Sequence, residues 1–409
     1  MVIRNVGPVR RSPGPFAHAP FRWLVAARMT SLLGNGIAPI ALAFAVLDLT
    51  GSATDLGLVL ASRSVATVVL LLVGGVIADR LPRQLVLAGS SVLAALSQAA
   101  VATLVLTGTA TIPLLAVLSV VNGATGAVIF PASSALTPDT VPAPLLQRAN
   151  VVLRLGNNGA MILGAAAGGV LVAAVGPGWG LVVDAAGFLL AAGFASRVRV
   201  DARDREPGTS VLTDLRDGWR EFSRRRWVWI VVAQFSVVNA AFIGATTVLG
   251  PLVADRSFGR TAWGVVVAAE SVGLVLGGLL TLAWRPRRML AVGVACTLVS
   301  AAPALALGLQ PPFVVVAAAG LLAGMAIEIF AVAWDMSLQQ HIPSDRLARV
   351  YAYDALGSLI AVPVGEAVVG PLAESVGLAA TLVGCAIAIT AATLGALASR
   401  SVRGLVRVS

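Results

Sequence analysis

Six ionisable side chains sit inside long apolar runs of this chain: Arg28, Arg63 and Arg154 in its first half, Glu270, Glu328 and Glu366 in its second. A charge in such a run costs ~2.5–3.5 kcal/mol on membrane-insertion scales, so its presence asks for a use. The signs segregate by half. The chemistry they could do together is electrostatic: guanidiniums facing carboxyls, with the attraction removed whenever a carboxyl takes up a proton. Desolvation favours the neutral form of a carboxyl, the property a proton carrier needs. Glu270 is the first candidate for that role, Glu366 the second and Glu328 the third. The same residues would also serve as buried ion pairs that hold helices together.

Neutral polar residues extend the surface. Arg28 and Asn35 lie two helical turns apart on one face. Arg154, Asn158 and Met161 follow i, i+4, i+7 spacing, and Ser119, Asn122 and Gly126 share a face. Gln234 and Asn239 occupy a later run. With Arg63, these are candidates for touching a bound molecule, or for hydrogen bonds between helices. Asp184 is expected to be structural. Asp335 and Asp354, near run ends, are expected to pair with loop arginines.

Other chemistries find no support. Cys296 and Cys385 stand alone in apolar runs, without metal or redox spacing. His18 and His341 have no ligand partner at useful spacing, no Walker A sequence is present, and no Ser/His/Asp set is credible. Neither a cofactor nor a metal is expected. The glycine runs Gly164…Gly168-Gly169 and Gly273…Gly277-Gly278 follow no strand. With Gly365 and Gly370, their use is close helix packing.

The elements that must position these residues are transmembrane helices. The chain has 409 residues, 58% hydrophobic and 12% charged, against about 25% charge in soluble domains. Twelve segments are long enough to span a bilayer: 22–47, 56–78, 84–107, 112–135, 148–174, 178–196, 227–249, 262–284, 288–308, 312–335, 350–372 and 376–398. Lipid cannot satisfy free backbone groups, so these must be helices. All 29 basic residues are arginine. Outside the helices, every arginine except Arg256 and Arg260 falls on one side, which places both termini and the central loop in the cytoplasm. Trp23, Trp179, Trp227, Trp263, Trp284 and Trp334 lie near predicted helix ends, where an interfacial belt is expected. The net charge of +10 therefore reports topology and not a nucleic-acid partner.

The predicted organisation is a cytoplasmic tail (1–21), a six-helix bundle (22–196), a cytoplasmic linker (197–226), a second six-helix bundle (227–398) and a second tail (399–409). In the linker, Leu212, Leu215, Trp219 and Phe222 describe an amphipathic helix, either on the membrane surface or packed on the protein. The halves repeat. A shift of 201 residues places Pro142 on Pro343, Arg148 on Arg349, Gly164 on Gly365 and Gly169 on Gly370, and a shift of 204 places Pro82 and Arg83 on Pro286 and Arg287. Paired bundles with a site between them are a transporter architecture.

One loop carries a signature. The run Gly75-Val76-Ile77-Ala78-Asp79-Arg80-Leu81-Pro82-Arg83 resembles the G-x-x-x-D-R-x-G-R motif of the major facilitator superfamily. Gly75, Asp79, Arg80 and Arg83 match it, Pro82 replaces a glycine and Gln84 a basic residue. Gly164 to Gly169 is similar to the G-P-x-x-G-G motif of drug:proton antiporters, with Ala165 in place of proline. Leu145 to Asn150 resembles the enterobactin-exporter and macrolide-efflux branch. The resemblance implies an all-α fold in which helices one, two, four, five, seven, eight, ten and eleven border a central cavity. All six charges above fall on that set, a basic wall facing an acidic one. It also implies that Asp79 is a conformational latch bracing the two bundles, with the first turn of helix eleven (Val350–Tyr353) as its partner and Arg83 beside Asp139. Since Ala283 stands where Asp79 maps in the second half, the latch is expected to be one-sided.

The expected function is secondary active transport, not enzymatic catalysis: proton-coupled export of a small, partly apolar organic molecule such as a drug, antibiotic or siderophore-like compound. The expected setting is the bacterial plasma membrane, with the protein monomeric and its partners a small-molecule substrate, protons and the lipid bilayer. Import of a small metabolite, or a non-transporting sensor or assembly subunit, are the alternatives.

Overall fold

The computed structural model describes residues 14–80, 82–199, 219–220, 222–284 and 286–406; side chains of 71–80, 130, 131, 135, 344, 345, 348, 349 and 352 also lie outside the described set. Twelve helices are long and apolar enough to cross a membrane, and no strand occurs among the described residues. The first six are α1 (Ala19–Thr50), α2 (Ala53–Arg80), α3 (Arg83–Leu106), α4 (Ile112–Thr140), α5 (Leu146–Val175) and α6 (Pro177–Ala195). They are followed by α7 (Arg226–Arg256), α8 (Arg260–Ala283), α9 (Met289–Leu309), α10 (Phe313–His341), α11 (Ser344–Leu359 and Val362–Val376) and α12 (Leu378–Ala398).

The two sets pack alike. In the first bundle α2 lies on α4, α1 on α5 and α6, and α3 on α4 and α6. In the second, each pair recurs six helices later: α8 on α10, α7 on α11 and α12, α9 on α10 and α12. The bundles meet through α5 against α8 and α2 against α11, which the same six-helix step interconverts. All six turns at the end away from the termini carry a residue with positive φ: Gly51, Gly108, Gly176, Gly259 and Gly377, with Gln310 between α9 and α10. Glycine dominates because it pays no Cβ penalty there, and the tight turns keep neighbouring helices antiparallel.

Small residues let backbones touch. Gly164 packs on Gly36 of α1, Gly168 on Ile37, and Gly365 on the Ala240 carbonyl of α7. Two contacts cross between bundles: a Cβ on Gly169 would lie 2.6 Å from the Gly264 Cα, and one on Gly370 would lie 2.5 Å from the Thr54 Cα. Gly273 and Gly277 also meet α10 closely, whereas Gly278 has only ordinary contacts.

Three helices of the second bundle are interrupted near a proline, which lacks an N–H and cannot complete the ladder. In α7, Gly244–Leu249 is wound as a π-helix just before Pro251. In α9, Thr297–Ala301 narrows to 3-10 geometry before Pro303. In α11, the helix breaks before Pro363, and Asn239 of α7 donates to the Ser358 carbonyl at 2.9 Å there.

One expectation changes, and one open alternative is addressed. Trp227, Trp263 and Trp334 are buried in the cores and do not sit in an interfacial belt, because their rings fill space between helices: Trp227 meets Trp334 edge-on and Trp263 packs on Gly250. Leu212 and Leu215 of the linker lie outside the described residues. Its described end packs on the protein, with Phe222 buried and Trp219 and Phe222 both against Tyr353 of α11.

Candidate functional site

A cavity of about 450 Å³ lies between the bundles. α1, α2 and α5 supply Asn35, Pro39, Arg63, Ser64 and Met161, and the facing wall supplies Thr246, Thr247, Trp263, Glu270 and Glu366. Thr246 and Thr247 belong to the π-helical turn of α7 and return their hydroxyls to the Phe242 and Ile243 carbonyls. The widened turn thus brings both side chains to the cavity, a frequent use of such turns.

Glu366 is 5% exposed, and its Oε2 has no hydrogen-bond partner. The Arg63 guanidinium and the Ser64 hydroxyl act on it from the other bundle. Its own backbone carbonyl presses on Gly57 of α2. Glu270 lines the same cavity among Val266, Val267 and Leu274, and α10 approaches its backbone through Gly324. Glu328 is not a lining residue. It packs on Gly277 and Gly278 of α8, and interacts electrostatically with Arg154 across the interface. The cavity walls thus carry Arg63 facing Glu366, while Arg154 and Glu328 interact away from the lining.

Arg63 and Asn35 also line a second cavity, of about 200 Å³, inside the first bundle. Arg28, Ser31, Ser91, Asn122 and Asn157 complete much of its polar wall. Asn122 donates to Gln98 at 3.4 Å. Behind it Asp184, 1% exposed, lies against Gly34 and within electrostatic reach of Arg63. Asp184, expected to be structural, is thus a carboxyl neighbour of Arg63. Arg63 stands between a carboxyl of its own bundle and one of the other.

Several expected contacts lie elsewhere. Gln234 is buried in the second bundle, where its Nε2 donates to Thr297 and Thr393 at 3.0 and 3.2 Å. Asn239 is used by the break in α11, and Asn157 rather than Asn158 lines the cavity inside the first bundle. Asp354 accepts from Trp334 and Ser358, and Asp335 from Tyr351, which ties α10 to α11; the side chain of the loop arginine Arg349 lies outside the described residues.

At the signature loop, Arg83 pairs with Asp139 at 3.1 Å, as expected. The side chains of Gly75, Asp79 and Arg80 lie outside the described residues. A second clamp, at the opposite end, was not expected. Arg260, the first residue of α8, forms a two-pronged bond to Asp48 of α1, with Nη1 3.0 Å from Oδ2. It also donates to Asp255 at 3.0 Å and lies over the Phe44 ring. Ser52 adds a 3.0 Å bond to Glu374 of α11. The signal was available: Arg256 and Arg260 are the arginines that break the one-sided loop pattern.

Residues 24–366 match the family model described as Major Facilitator Superfamily. The chain is 29% identical over 401 residues to the multidrug efflux pump Tap of Mycolicibacterium fortuitum, covering 93% of this chain and 95% of that one. It superposes on the nucleoside transporter NupG (D323A mutant) with a TM-score of 0.77, at 12% identity over 93% of this chain and 99% of the other. A bacterial homologue of the human lysosomal transporter Spinster, solved inward-facing and unoccupied, gives 0.74 at 16% identity over 97% and 99%. A D-xylose-proton symporter gives 0.66 at 15% identity over 91% and 96%.

Proposed function

The chain is a multi-pass membrane transporter of the major facilitator superfamily, and from that premise we propose that it exports a small, partly apolar organic molecule in exchange for protons. The observation that carries this is the cavity between the bundles, with Glu270 and Glu366 on one wall and Arg63 on the other. The efflux activity named for the Mycolicibacterium relative agrees with it.

The arginine-rich loops favour the orientation with both termini inside a bacterial plasma membrane. The end clamped by Asp48–Arg260 is then the outer one. Closing that end buries Glu366, and a buried carboxyl is held at least cost with its proton. Proton uptake from outside thus favours closure. Release to the cytoplasm leaves a carboxylate facing Arg63, and an arriving substrate displaces that attraction and allows the bundles to part outward. Aliphatic lining suits an apolar body, and Thr246, Thr247 and Asn35 suit a few polar groups.

The test is flux in proteoliposomes under an imposed pH gradient, for a panel of cationic and neutral lipophiles. Glu366→Gln should lower gradient-driven flux by about tenfold or more, the usual contribution of a proton-transfer group, and Glu270→Gln should weaken coupling as well. Full coupling in both variants would sink the assignment. Substrate moving with the protons, and not against them, would make the protein an importer.

A further inference from the structure

The pocket inside the first bundle has a charge problem that the transport cycle above does not use. Arg28 and Arg63 both line it, and no carboxyl lines it. Arg63 has Asp184 and Glu366 within electrostatic reach. Arg28 has neither an ion pair nor a hydrogen bond among the described residues, and burial is its only notable electrostatic influence. A guanidinium holds five N–H donors in a fixed fork and cannot be discharged. Left half-buried without an acceptor it is costly, and that cost falls if an anion arrives. The surroundings suit one: Ser31 offers a hydroxyl, and the buried Ser133 hydroxyl has no partner.

We propose that this pocket is an anion subsite for a carboxylate carried by the transported molecule, with Arg28 as the fork that grips it. The inference rests on the reading that the central cavity is the transport site. Asn35 and Arg63 belong to both walls, so one ligand can reach from one space into the other. The smaller space, about 200 Å³, takes a carboxylate and a short stem. The larger, about 450 Å³ and bordered by Leu60, Val266 and Leu274, takes an apolar body. The substrate class is therefore an amphiphilic organic acid. The carboxyls of Glu270 and Glu366 repel such an anion from the central cavity unless protonated, and so steer its charged end toward Arg28.

The test uses the whole protein in lipid nanodiscs and two probes of one shape, benzoate and benzamide, with chloride as the inorganic alternative. Binding is read by titration calorimetry at neutral pH. Benzoate should bind at least about tenfold more tightly than benzamide, the scale of one charge-assisted fork. Arg28→Gln should abolish that preference, and Arg28→Lys, which keeps the charge but loses the planar fork, should retain only part of it. Equal binding of the two probes by the unmodified protein would overturn the proposal, as would an undiminished preference in Arg28→Gln. Chloride displacing benzoate at similar concentration would also overturn it, by making the pocket an inorganic-anion site. Should Arg28→Gln not fold, the unmodified protein and Arg28→Lys still decide. Gradient-driven flux of neutral lipophiles and of an amphiphilic acid, measured with the same protein in proteoliposomes, keeps the two ideas apart. Flux without a benzoate preference removes only the anion subsite, and a benzoate preference without flux removes only the exporter reading.

Discussion

At the scale of single residues, the charged side chains in apolar runs were the legible part of the site. Arg63, Glu270 and Glu366 were found because a charge in lipid stands out whatever the neighbouring sequence. Neutral amides do not, and Gln234 shows why: an amide that ties three helices together looks in sequence like one that touches a ligand. Gln234→Ala should cost about 1–3 kcal/mol by removing its two hydrogen bonds, with Thr297 and Thr393 keeping the bond to each other. Thermal unfolding would show the loss, while flux per folded molecule stays constant; a selective loss of flux would return Gln234 to the cavity. Arg260 was overlooked for the opposite reason, since the sequence places it before the predicted helix 262–284, in a loop where charge is ordinary. Its bond to Asp48 is partly exposed and so contributes about 1 kcal/mol. Arg260→Gln should raise the population parted at that end by about fivefold, seen as a longer distance between spin labels on the α1–α2 and α7–α8 turns. An unchanged distribution would remove Arg260 from the clamp.

At the scale of elements, all twelve helices were legible, because an apolar run of the length of a bilayer has few other uses. Their interruptions were not marked out in advance, although Pro251, Pro303 and Pro363 were in plain view. A proline predicts a missing hydrogen bond but not how the backbone absorbs it. Here the same deficit gives a widened turn in α7, a narrowed one in α9 and a break in α11. The contact of α5 with α8 is set by glycine against glycine. A side chain on Gly264, whose Cβ would lie 2.7 Å from the Gly169 Cα, has no flexible neighbour to displace. Gly264→Val should therefore leave a folded protein that cannot close this end, with flux abolished and thiol probes entering the cavity from that side. Normal flux would show that the helices need not meet this closely.

At the scale of the molecule, the division into halves was legible in the long central loop and in the repeat that a shift of 201 residues brings out. What the sequence concealed was which pairs of helices join the halves, since α2 with α11 and α5 with α8 are far apart in the chain and united only by the pseudo-two-fold relation. The clamp at the end away from the termini also gives the Asp79 loop a counterpart. If Asp79 braces the other end, Asp79→Asn should slow cycling several-fold with substrate affinity little changed, as for a group that stabilises one of two states. A parallel loss of affinity would argue against a latch. The meeting of Gly57 with the Glu366 carbonyl has a consequence of its own. The backbone that touches and the carboxyl proposed to carry the proton belong to one residue, so the carboxyl is dried by closure and wetted by opening. No relay has to inform it which way the protein faces, because the width of the gap beside α2 already sets how much water it sees.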